Sequence, residues 1–411
     1  MFLQIHTLTS YHAALLNRDD AGLAKRIPFG DATRLRISSQ CLKRHWRENL
    51  HQTVPLPRAL RTRHFFEREI YPRVIAEGVS EPLARQLTRT LIDLLLQKSS
   101  KGDKPDKARK VGKSPEEQED SSLVEATSGE PIVEAGNLQV KQPILFGKPE
   151  ADYLVSLLKD CAKLGGDAES DLKAKLKTDK ANFKAMLRAA GQSNLYAGLE
   201  GALFGRFVTS DILARADASV HVAHAFTVHK LDTEVDYFTV VDDLNRDEET
   251  GAAHAGDMEL GSGLFYGYVA VDIPLLVSNL SGCDAKAWRE QDSADTREVL
   301  KGLIRAIATV SPGAKLGATA PYAFSDFVLL ETGAGQPRSL ANAYLEALRL
   351  RDDPMQSAAN ALARHLSALD AMYGRTSEYR EAASTRNFDP KLAEIKPLSE
   401  AIEAALGHVF S

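Results

Sequence analysis

Alternating apolar and polar residues predict strands at four places along the chain. The alternation is regular in the first segment, FLQIHTL, as expected when successive side chains point to opposite faces of a sheet. Two longer segments, VHVAHAFTVHKL and GLFYGYVAVDI, contain the β-branched and aromatic residues typical of strands. The predicted strands span residues 2–8, 220–231, 263–273 and 323–331.

A helical period is clearest in the segment QCLKRHWRENL. There, Leu42, Trp46 and Leu50 recur at positions i, i+4 and i+8 and form one apolar stripe. Ser38 and Ser39 come directly before this segment and are good N-cap residues. The other predicted elements are a long loop at 17–36 and helices at about 64–78, 81–97, 149–164, 168–190, 295–310, 339–350 and 354–373.

This order of elements indicates an α+β fold. Strand, helix, strand, strand, helix, strand is the order of a ferredoxin-like or RRM-like core. The core is predicted from residues 1–60 and 200–335, with a helical insertion at 61–199 and a C-terminal helical segment, 336–411, that completes it. The acidic stretch 232–262 is too long for a tight turn between two strands, so it predicts a protruding arm.

One part of the insertion differs in composition from the rest of the chain. Residues 98–136 contain almost no large apolar side chains and consist of a basic half and an acidic half. Such a segment cannot bury enough apolar surface to offset its conformational entropy. We therefore expect a disordered or mobile insertion.

Composition excludes several classes of protein. The 411 residues are 44% hydrophobic and 26% charged, as in ordinary globular chains. Three scattered cysteines, Cys41, Cys161 and Cys283, provide neither a disulfide framework nor a CxxC zinc motif, which fits a reducing cytoplasm. The N-terminus lacks signal-peptide features, and no apolar run reaches the roughly 18–20 residues of a membrane span. We therefore expect a cytoplasmic protein without membrane contact.

Charge is unevenly distributed along the chain. The formal net charge is -5, yet residues 18–47 contain eight basic residues and only three acidic ones. A local basic surface attracts polyanions through its own field, whatever the total charge. Arginines that precede a helix N-terminus also suit phosphate groups. The sequence thus predicts a sugar-phosphate track, with Gln40, Lys43, Arg44 and Arg47 on the helix face opposite the apolar stripe.

Histidines and tyrosines of the predicted strands have structural explanations that compete with functional ones. His224 would point away from His221 and His229 on a strand, and no further ligand completes a metal site nearby. Tyr266 and Tyr268 lie in YGYVAV, which partly resembles the base-stacking strand of RRM domains. Packing inside the sheet is the simpler interpretation. No nucleotide-binding loop, nucleophile elbow or convincing catalytic triad is present.

Several sequence blocks together resemble one protein family. LNRDD (16–20) and RLRISSQCLKRHWR (34–47) are similar to the N-terminal signature of the CasC family, the backbone subunits of the type I-E CRISPR surveillance complex, Cascade. The later blocks GRFVTSD, AHAFTVHKLDTEVDYFTVVDDL, GAAHAG, GSGLFYGY and SLANAY follow in the family's order. The resemblance spans most of the chain, except residues 98–136 and much of the helical region to residue 195.

The resemblance implies a hand-like, non-catalytic subunit. Its palm would be RRM-like, its fingers the helical insertion, and its thumb the β-rich arm at 232–262. In that family several copies polymerise along the CRISPR guide RNA (crRNA), kink it at intervals and present it for pairing with target DNA, while base pairing reads the sequence. The implied partners are crRNA, target DNA through the guide, other copies of the chain and other Cascade subunits. Neither a cofactor nor a metal is expected.

The resemblance also assigns individual positions. Phe207 falls where the family places an apolar residue against displaced bases, and His254 matches a histidine at the thumb tip. A bulky apolar wedge follows that histidine in the family, but Ala255 stands here, so Met258 is a second wedge candidate. The remaining RNA-binding residues, from the resemblance and from the basic track, are Arg18, Lys25, Arg34, Arg36, Ser38, Gln40, Lys43, Arg44 and Arg47.

Two other functions stay open on the sequence alone. One is a metal-dependent endoribonuclease that uses Asp19 or Asp20, as in related backbone subunits of type III complexes. Carboxylates can hold a catalytic metal, although Asp pairs in turns, here also Asp242 and Asp243, more often bond to nearby backbone. The other is a monomeric RRM-type RNA binder. Mg²⁺-dependent cleavage of bound RNA would identify the first, and a single copy on a guide-length RNA the second.

Deletion of residues 99–135 should leave RNA assembly intact, because few core-forming residues lie there. The measurement is sedimentation of the deleted chain with a guide-length RNA, compared with the full chain. Loss of soluble, folded protein on deletion would contradict this expectation.

Overall fold

The computed structural model describes residues 1–96, 137–140, 143–164, 167–178, 197–206, 216–240 and 254–411. The chain divides into two compact units: unit 1 comprises Met1–Leu56 and Ala218–Ser411, and unit 2 comprises Pro57–Asp217. The segment 98–136 lies outside the described residues, so its mobility stays a prediction, as do the predicted domain boundaries. Within the described ranges, no helix is long and apolar enough to cross a membrane.

Both units contain strands and helices. The strands are β1 (Phe2–Ala14), β2 (Arg26–Phe29), β3 (Ala32–Ile37), β4 (Ala59–Thr62), β5 (Ile144–Gly147), β6 (Val220–Val222), β7 (Ala225–Thr227), β8 (Thr233–Val240), β9 (His254–Asp272), β10 (Ser325–Gly333) and β11 (Tyr379–Ser384). The helices are α1 (Ser39–Thr53), α2 (Tyr71–Ala76), α3 (Glu81–Leu96), α4 (Lys148–Lys163), α5 (Ala168–Thr178), α6 (Gly198–Phe204), α7 (Ile273–Ser281), α8 (Ala294–Thr309), α9 (Pro354–Tyr373) and α10 (Leu398–Val409).

Unit 1 is built on an antiparallel sheet with β1 at its centre. The strand order is β11-β10-β1-β9-β7-β3-β2, and β6 and β8 also pair with β9. Leu8 of β1 lies opposite Tyr266 of β9 and Phe327 of β10. Residues 3–9 of β1 are all buried, because both faces of this strand are covered.

Different helices cover the two faces of the sheet. On one face, Ile5 and Thr7 of β1 line a small cavity with Trp46 of α1 and Ile307 of α8. Helix α8 approaches α1 closely at Gly302, where a Cβ atom would lie only 2.9 Å from a methyl of Val54. On the other face, helix α9 joins the core. Its apolar residues form one cluster with those of β1, β9 and β10, including Leu8, Tyr266, Leu329, Leu362 and Leu366.

Unit 2 is a helical body with its own apolar core. Phe65 and Phe146 stack there with ring centroids 4.0 Å apart, and helices α2 to α5 contribute the surrounding aliphatic residues. A buried ion pair joins Arg206 to Glu150, and Arg206 also donates to the carbonyl oxygen of Leu145 at 3.0 Å. The predicted helix at 168–190 is described as far as residue 178.

The structure corrects the predicted loop at 17–36. Its second half is the β2–β3 hairpin, in which Gly30 and Asp31 connect the paired residues Phe29 and Ala32. Gly30 has a φ of +62°, and a Cβ there would collide with the carbonyl group of Leu345. Strand β3 was not predicted, because Arg34 and Arg36 alternate with its buried residues Leu35 and Ile37 and gave the segment a polar composition.

The predicted helix at 339–350 is also wrong. The chain makes one short 3₁₀ turn, Ala341–Tyr344, and then runs as irregular backbone. Tertiary hydrogen bonds replace the helical ones, since Leu348 N–H donates to the Val228 carbonyl at 3.0 Å and Ala347 N–H donates to the Asp31 carboxylate at 2.8 Å. Strand β11 and helices α7 and α10 were not predicted, whereas α9 has the predicted bounds.

A buried polar network ties the sheet to the segments that cover it. The Glu331 carboxylate on β10 is fully buried and accepts hydrogen bonds from Arg380 at 2.8 Å, Arg338 at 2.7 Å and Ser377 at 2.5 Å. His6 of β1 donates to it through Nε2 at 3.1 Å. Burial tends to raise the pKa of Glu331, but the hydrogen bonds from His6 and Arg338 and the charge of Arg338 outweigh it and hold this pKa well below its usual range.

Replacing Glu331 by Gln should lower the free energy of unfolding by about 3–5 kcal/mol at pH 7, because Arg338 loses its carboxylate partner and the buried Arg380 keeps only Asp370. Since the folded-state pKa of Glu331 is depressed, its contribution is complete above its unfolded pKa of about 4.3 and declines as pH falls further. The stability difference between wild type and variant should therefore shrink below about pH 4.

Denaturant unfolding at pH 7 and in acid measures this difference. The control is Glu403→Gln, which removes one partner of the exposed Lys301–Glu403 ion pair and should cost less than about 1 kcal/mol. Equal losses in the two variants would contradict a special role of Glu331.

Candidate nucleic-acid interface

The basic part of the sequence forms a loop, the β2–β3 hairpin and the first turns of α1. The loop leaves the end of β1 and closes on itself, because Asp19 N–H donates to the Leu23 carbonyl at 2.8 Å. Arg18 and Ala24 form an isolated antiparallel bridge across it. Arg18 is therefore an exposed residue on a closed loop rather than on an extended tail.

Ser38 connects this loop to the start of α1. Its hydroxyl accepts the Cys41 N–H at 3.3 Å, which confirms the predicted N-cap. Its own N–H donates to the side-chain oxygen of Asn17 at 2.8 Å, and the Asn17 carbonyl accepts the Lys25 N–H at 2.9 Å. Ser38 is buried, and Asn17, which the sequence did not single out, fixes the loop against the helix N-terminus.

Most predicted side chains on α1 face away from the core. Gln40 and Arg44 are exposed, Lys43 and Arg47 are half-buried, and Leu42 and Trp46 point inward. Arg44 donates to Glu48 one turn later at 3.0 Å, an exposed pair of small energetic weight. We call the surface formed by the following residues the basic face: Arg18, Lys25, Gln40, Lys43, Arg44 and Arg47.

Arg36 lies inside the sheet rather than on the helix. It is half-buried on β3, and its guanidinium donates to Nδ1 of His224 at 2.8 Å. The other two histidines of the sequence also have local partners. His229 accepts the Leu264 N–H at 3.0 Å, and His221 bonds to the Ala218 carbonyl at 3.1 Å. These contacts agree with the structural role predicted for the three histidines.

The structure corrects the RNA-binding prediction for Arg34. Its side chain is fully buried, and its guanidinium donates to the carbonyl oxygens of Tyr344 at 3.0 Å and of Thr227 and Phe29 at 3.3 Å. A guanidinium enclosed in this way cannot reach a phosphate. Arg34 instead joins β3 to β7 and to the 3₁₀ turn, so its positive charge contributes to folding.

Glu259 anchors the loop between β1 and β2, residues 15–25, which we call the basic loop, to the long β8–β9 ribbon. Its carboxylate is almost fully buried, accepts the Ala24 N–H at 2.7 Å and forms an ion pair with Arg26. Arg26 therefore has a partner within the chain. No sequence signal pointed to Glu259, because it lies more than two hundred positions from the loop that it holds.

The β8–β9 ribbon occupies the region of the predicted thumb. Thr233 pairs with Gly261 at its base and Val240 with His254 at its far end. His254 and Ala255 are placed by their backbone at the start of β9, while the connection at 241–253 lies outside the described residues. Met258 is 6% exposed, so the wedge prediction for this residue is wrong: its side chain is enclosed by the chain itself. Phe207 also lies outside the described residues.

Asp19 acts as a turn residue. Its carboxylate accepts the Leu23 N–H at 2.9 Å, the local bonding that is common for Asp in turns. In the described parts of the chain, no group of three or more His, Cys, Asp or Glu side chains is arranged to hold a metal ion.

Burial raises the pKa of the Cys41 thiol to about 11, so this cysteine is protonated at neutral pH.

Comparison with known proteins gives one family match and two informative structures. The family described as CT1975-like protein matches residues 3–406. A solved structure titled "CRISPR RNA-guided surveillance complex, pre-nicking" is 24% identical with a TM-score of 0.72, and covers 99% of this chain and 100% of its own. A second, titled "CRISPR RNA-guided surveillance complex", is 21% identical with a TM-score of 0.64 and the same coverage. The curated proteins give no significant match. The two structures show the shared fold.

Arg34→Met should lower the free energy of unfolding by about 2–4 kcal/mol, because buried carbonyl oxygens lose their donor. Arg44→Met, on the exposed face of α1, should change the free energy of unfolding by less than about 0.5 kcal/mol. Denaturant unfolding measures both variants. A stability loss in Arg44→Met equal to that in Arg34→Met would contradict the assignment of Arg34 to the interior.

Proposed function

Because the chain belongs to the CT1975-like protein family, we propose that it is a non-catalytic backbone subunit of a CRISPR RNA-guided surveillance complex, of the type I-E Cascade class. In this proposal several copies bind one crRNA, grip its sugar-phosphate backbone and leave its bases available for pairing with target DNA. The titles of the two structures of similar fold support the class of complex. The ordered CasC-like sequence blocks support the type.

The basic face is the observation that carries the proposal. It combines exposed and half-buried cationic side chains with the N-terminal turn of α1, and both attract phosphate. The Asn17–Ser38 hydrogen bond holds the Arg18 loop beside that turn, so the two sources of positive potential lie on one surface. Such contacts hold a nucleic acid backbone without reading its bases, as a guide-binding subunit requires.

The sheet supports an RRM-like palm with an altered RNA surface. The order β10-β1-β9-β7, with α1 and α8 as the crossover helices, is that of a split βαβ fold. In RRM domains aromatic residues on the open face of the sheet stack on bases. Here Tyr266 is buried beneath the C-terminal segment and its hydroxyl accepts the Leu340 N–H at 2.9 Å. This favours RNA on the basic face over the monomeric RRM-type alternative.

The β8–β9 ribbon is proposed to act as the thumb. In this proposal, the ribbon crosses the guide RNA between neighbouring copies and kinks it, with His254 near the point of contact. Val235 and Tyr237 are 62% and 67% exposed on this ribbon, so apolar side chains are available there for an RNA base or a neighbouring copy. The Ala24–Glu259 hydrogen bond ties the β8–β9 ribbon to the basic loop, which supports a joint role of the two in this proposal.

Lys43→Ala/Arg47→Ala should weaken binding to a guide-length single-stranded RNA and lower the slope of log K against log[salt] by roughly 1.4, since each lost phosphate contact contributes about 0.7. Filter binding over a range of salt concentrations measures the slope. The charge-matched control, Arg364→Ala/Lys391→Ala, removes exposed cations from the C-terminal segment and should leave the slope unchanged.

Sedimentation of the wild-type protein with the same RNA should show several copies on one RNA. An unchanged slope in Lys43→Ala/Arg47→Ala would contradict the role of the basic face. One copy per RNA would contradict the role as a backbone subunit.

A further inference from the structure

The segment between α8 and β10 forms a closed loop on the surface of unit 1. The Ser311 hydroxyl accepts the Ala323 N–H and donates to the Ala323 carbonyl, both at 2.9 Å, so the two ends of the loop are joined. Gly313 packs so closely on Pro321 that a Cβ there would lie 2.4 Å from the proline ring. The loop is therefore held in shape by its own contacts.

Two aromatic side chains project from the end of this loop. Tyr322 is 75% exposed and Phe324 is 72% exposed, whereas Pro321 is buried and Ala323 is half-buried. This alternation places both rings on one side of the chain. Large aromatic side chains are mostly buried, and neighbouring exposed ones are a feature of binding surfaces.

A separation of two residues along an extended chain suits a nucleic acid base. Residues i and i+2 of an extended chain are about 6.8 Å apart, which is twice the rise of about 3.4 Å between successive stacked nucleotides. With the chain extended at Tyr322 and Phe324, directly before β10, one planar base would fit between their rings. Stacking of this kind tolerates every base, because each has a π face.

The position of the loop favours nucleic acid over a protein partner. Ala314 N–H donates to the Leu15 carbonyl at 3.0 Å, at the point where the basic loop leaves β1. The exposed Lys315 places its ammonium group 5.7 Å from the Phe238 ring centroid on the β8–β9 ribbon. The aromatic pair thus belongs to a loop that contacts both the basic loop and the proposed thumb.

We propose that Tyr322 and Phe324 form a stacking platform that holds one unpaired base of the bound RNA. The platform rests on the proposed function, because it takes a base from the strand whose backbone lies on the basic face. It gives each copy a contact that is independent of phosphate charge and of base identity.

The test uses the full chain and a guide-length single-stranded RNA. Tyr322→Ala/Phe324→Ala should weaken binding by about 5- to 150-fold, the range expected for loss of one base stack, with an unchanged salt slope because no phosphate contact is lost. Tyr322→Trp/Phe324→Trp should retain the affinity, and Tyr322→Leu/Phe324→Leu should lose it. Tyr373→Ala, a 67% exposed tyrosine at the end of α9, is the matched control and should bind normally.

A fluorescent base reports the contact directly. 2-Aminopurine, placed in turn at each position of the RNA, should be quenched at particular positions by the wild-type protein and not by the Ala pair. Wild-type affinity in the Leu pair would overturn the proposal. The proposal would also be overturned if Tyr322→Ala/Phe324→Ala bound RNA normally but lost self-association measured without RNA. That result would assign the platform to a second copy of the chain.

The salt slope separates the two proposals. If Lys43→Ala/Arg47→Ala lowers the salt slope while Tyr322→Ala/Phe324→Ala binds RNA like wild type, only the proposal of the stacking platform is wrong. If the wild-type chain binds no single-stranded RNA, the proposed function is wrong and the platform with it.

Discussion

Coverage of β1 on both faces is the constraint on which the rest of unit 1 depends. A central strand buried on both sides needs a layer of helices above it and another below it, here α1 and α8 on one face and α9 on the other. Coverage of both faces leaves little of the sheet surface accessible to a ligand. The surfaces that remain for a ligand are the loops and helix ends at the margin of the sheet, where the basic loop, the β8–β9 ribbon and the 311–324 loop lie.

Burying polar groups between these layers requires complete pairing. Glu331, His6 and Tyr266 satisfy one another in a chain of hydrogen bonds that ends at the Leu340 N–H. Because desolvation lowers the pKa of His6, it stays neutral and can donate to Glu331 while accepting from Tyr266. Unpaired charges at this depth would be costly, so the network favours one arrangement of the C-terminal segment over the alternatives.

Part of the architecture was predictable from local patterns. The Leu42, Trp46 and Leu50 stripe and the Ser38 cap specified α1, because a helix repeats every few residues and its cap bonds within one turn. The predictions at 17–36 and 339–350 were wrong because contacts distant in sequence, rather than local patterns, decide these segments. Gly30 and Asp31 turn the chain against Leu345, and Leu348 bonds to Val228, so partners remote in sequence decided the conformation of both segments.

The sequence by itself determined the family, the α+β class and the concentration of positive charge at residues 18–47, since each is written in residue order and composition. Only the tertiary structure decided which of those charges face solvent. The buried Arg34 donates hydrogen bonds to three carbonyl groups. Arg26 is paired with Glu259, and Arg44 stays exposed. Burial and pairing depend on distances between residues far apart in the chain, which no local pattern contains.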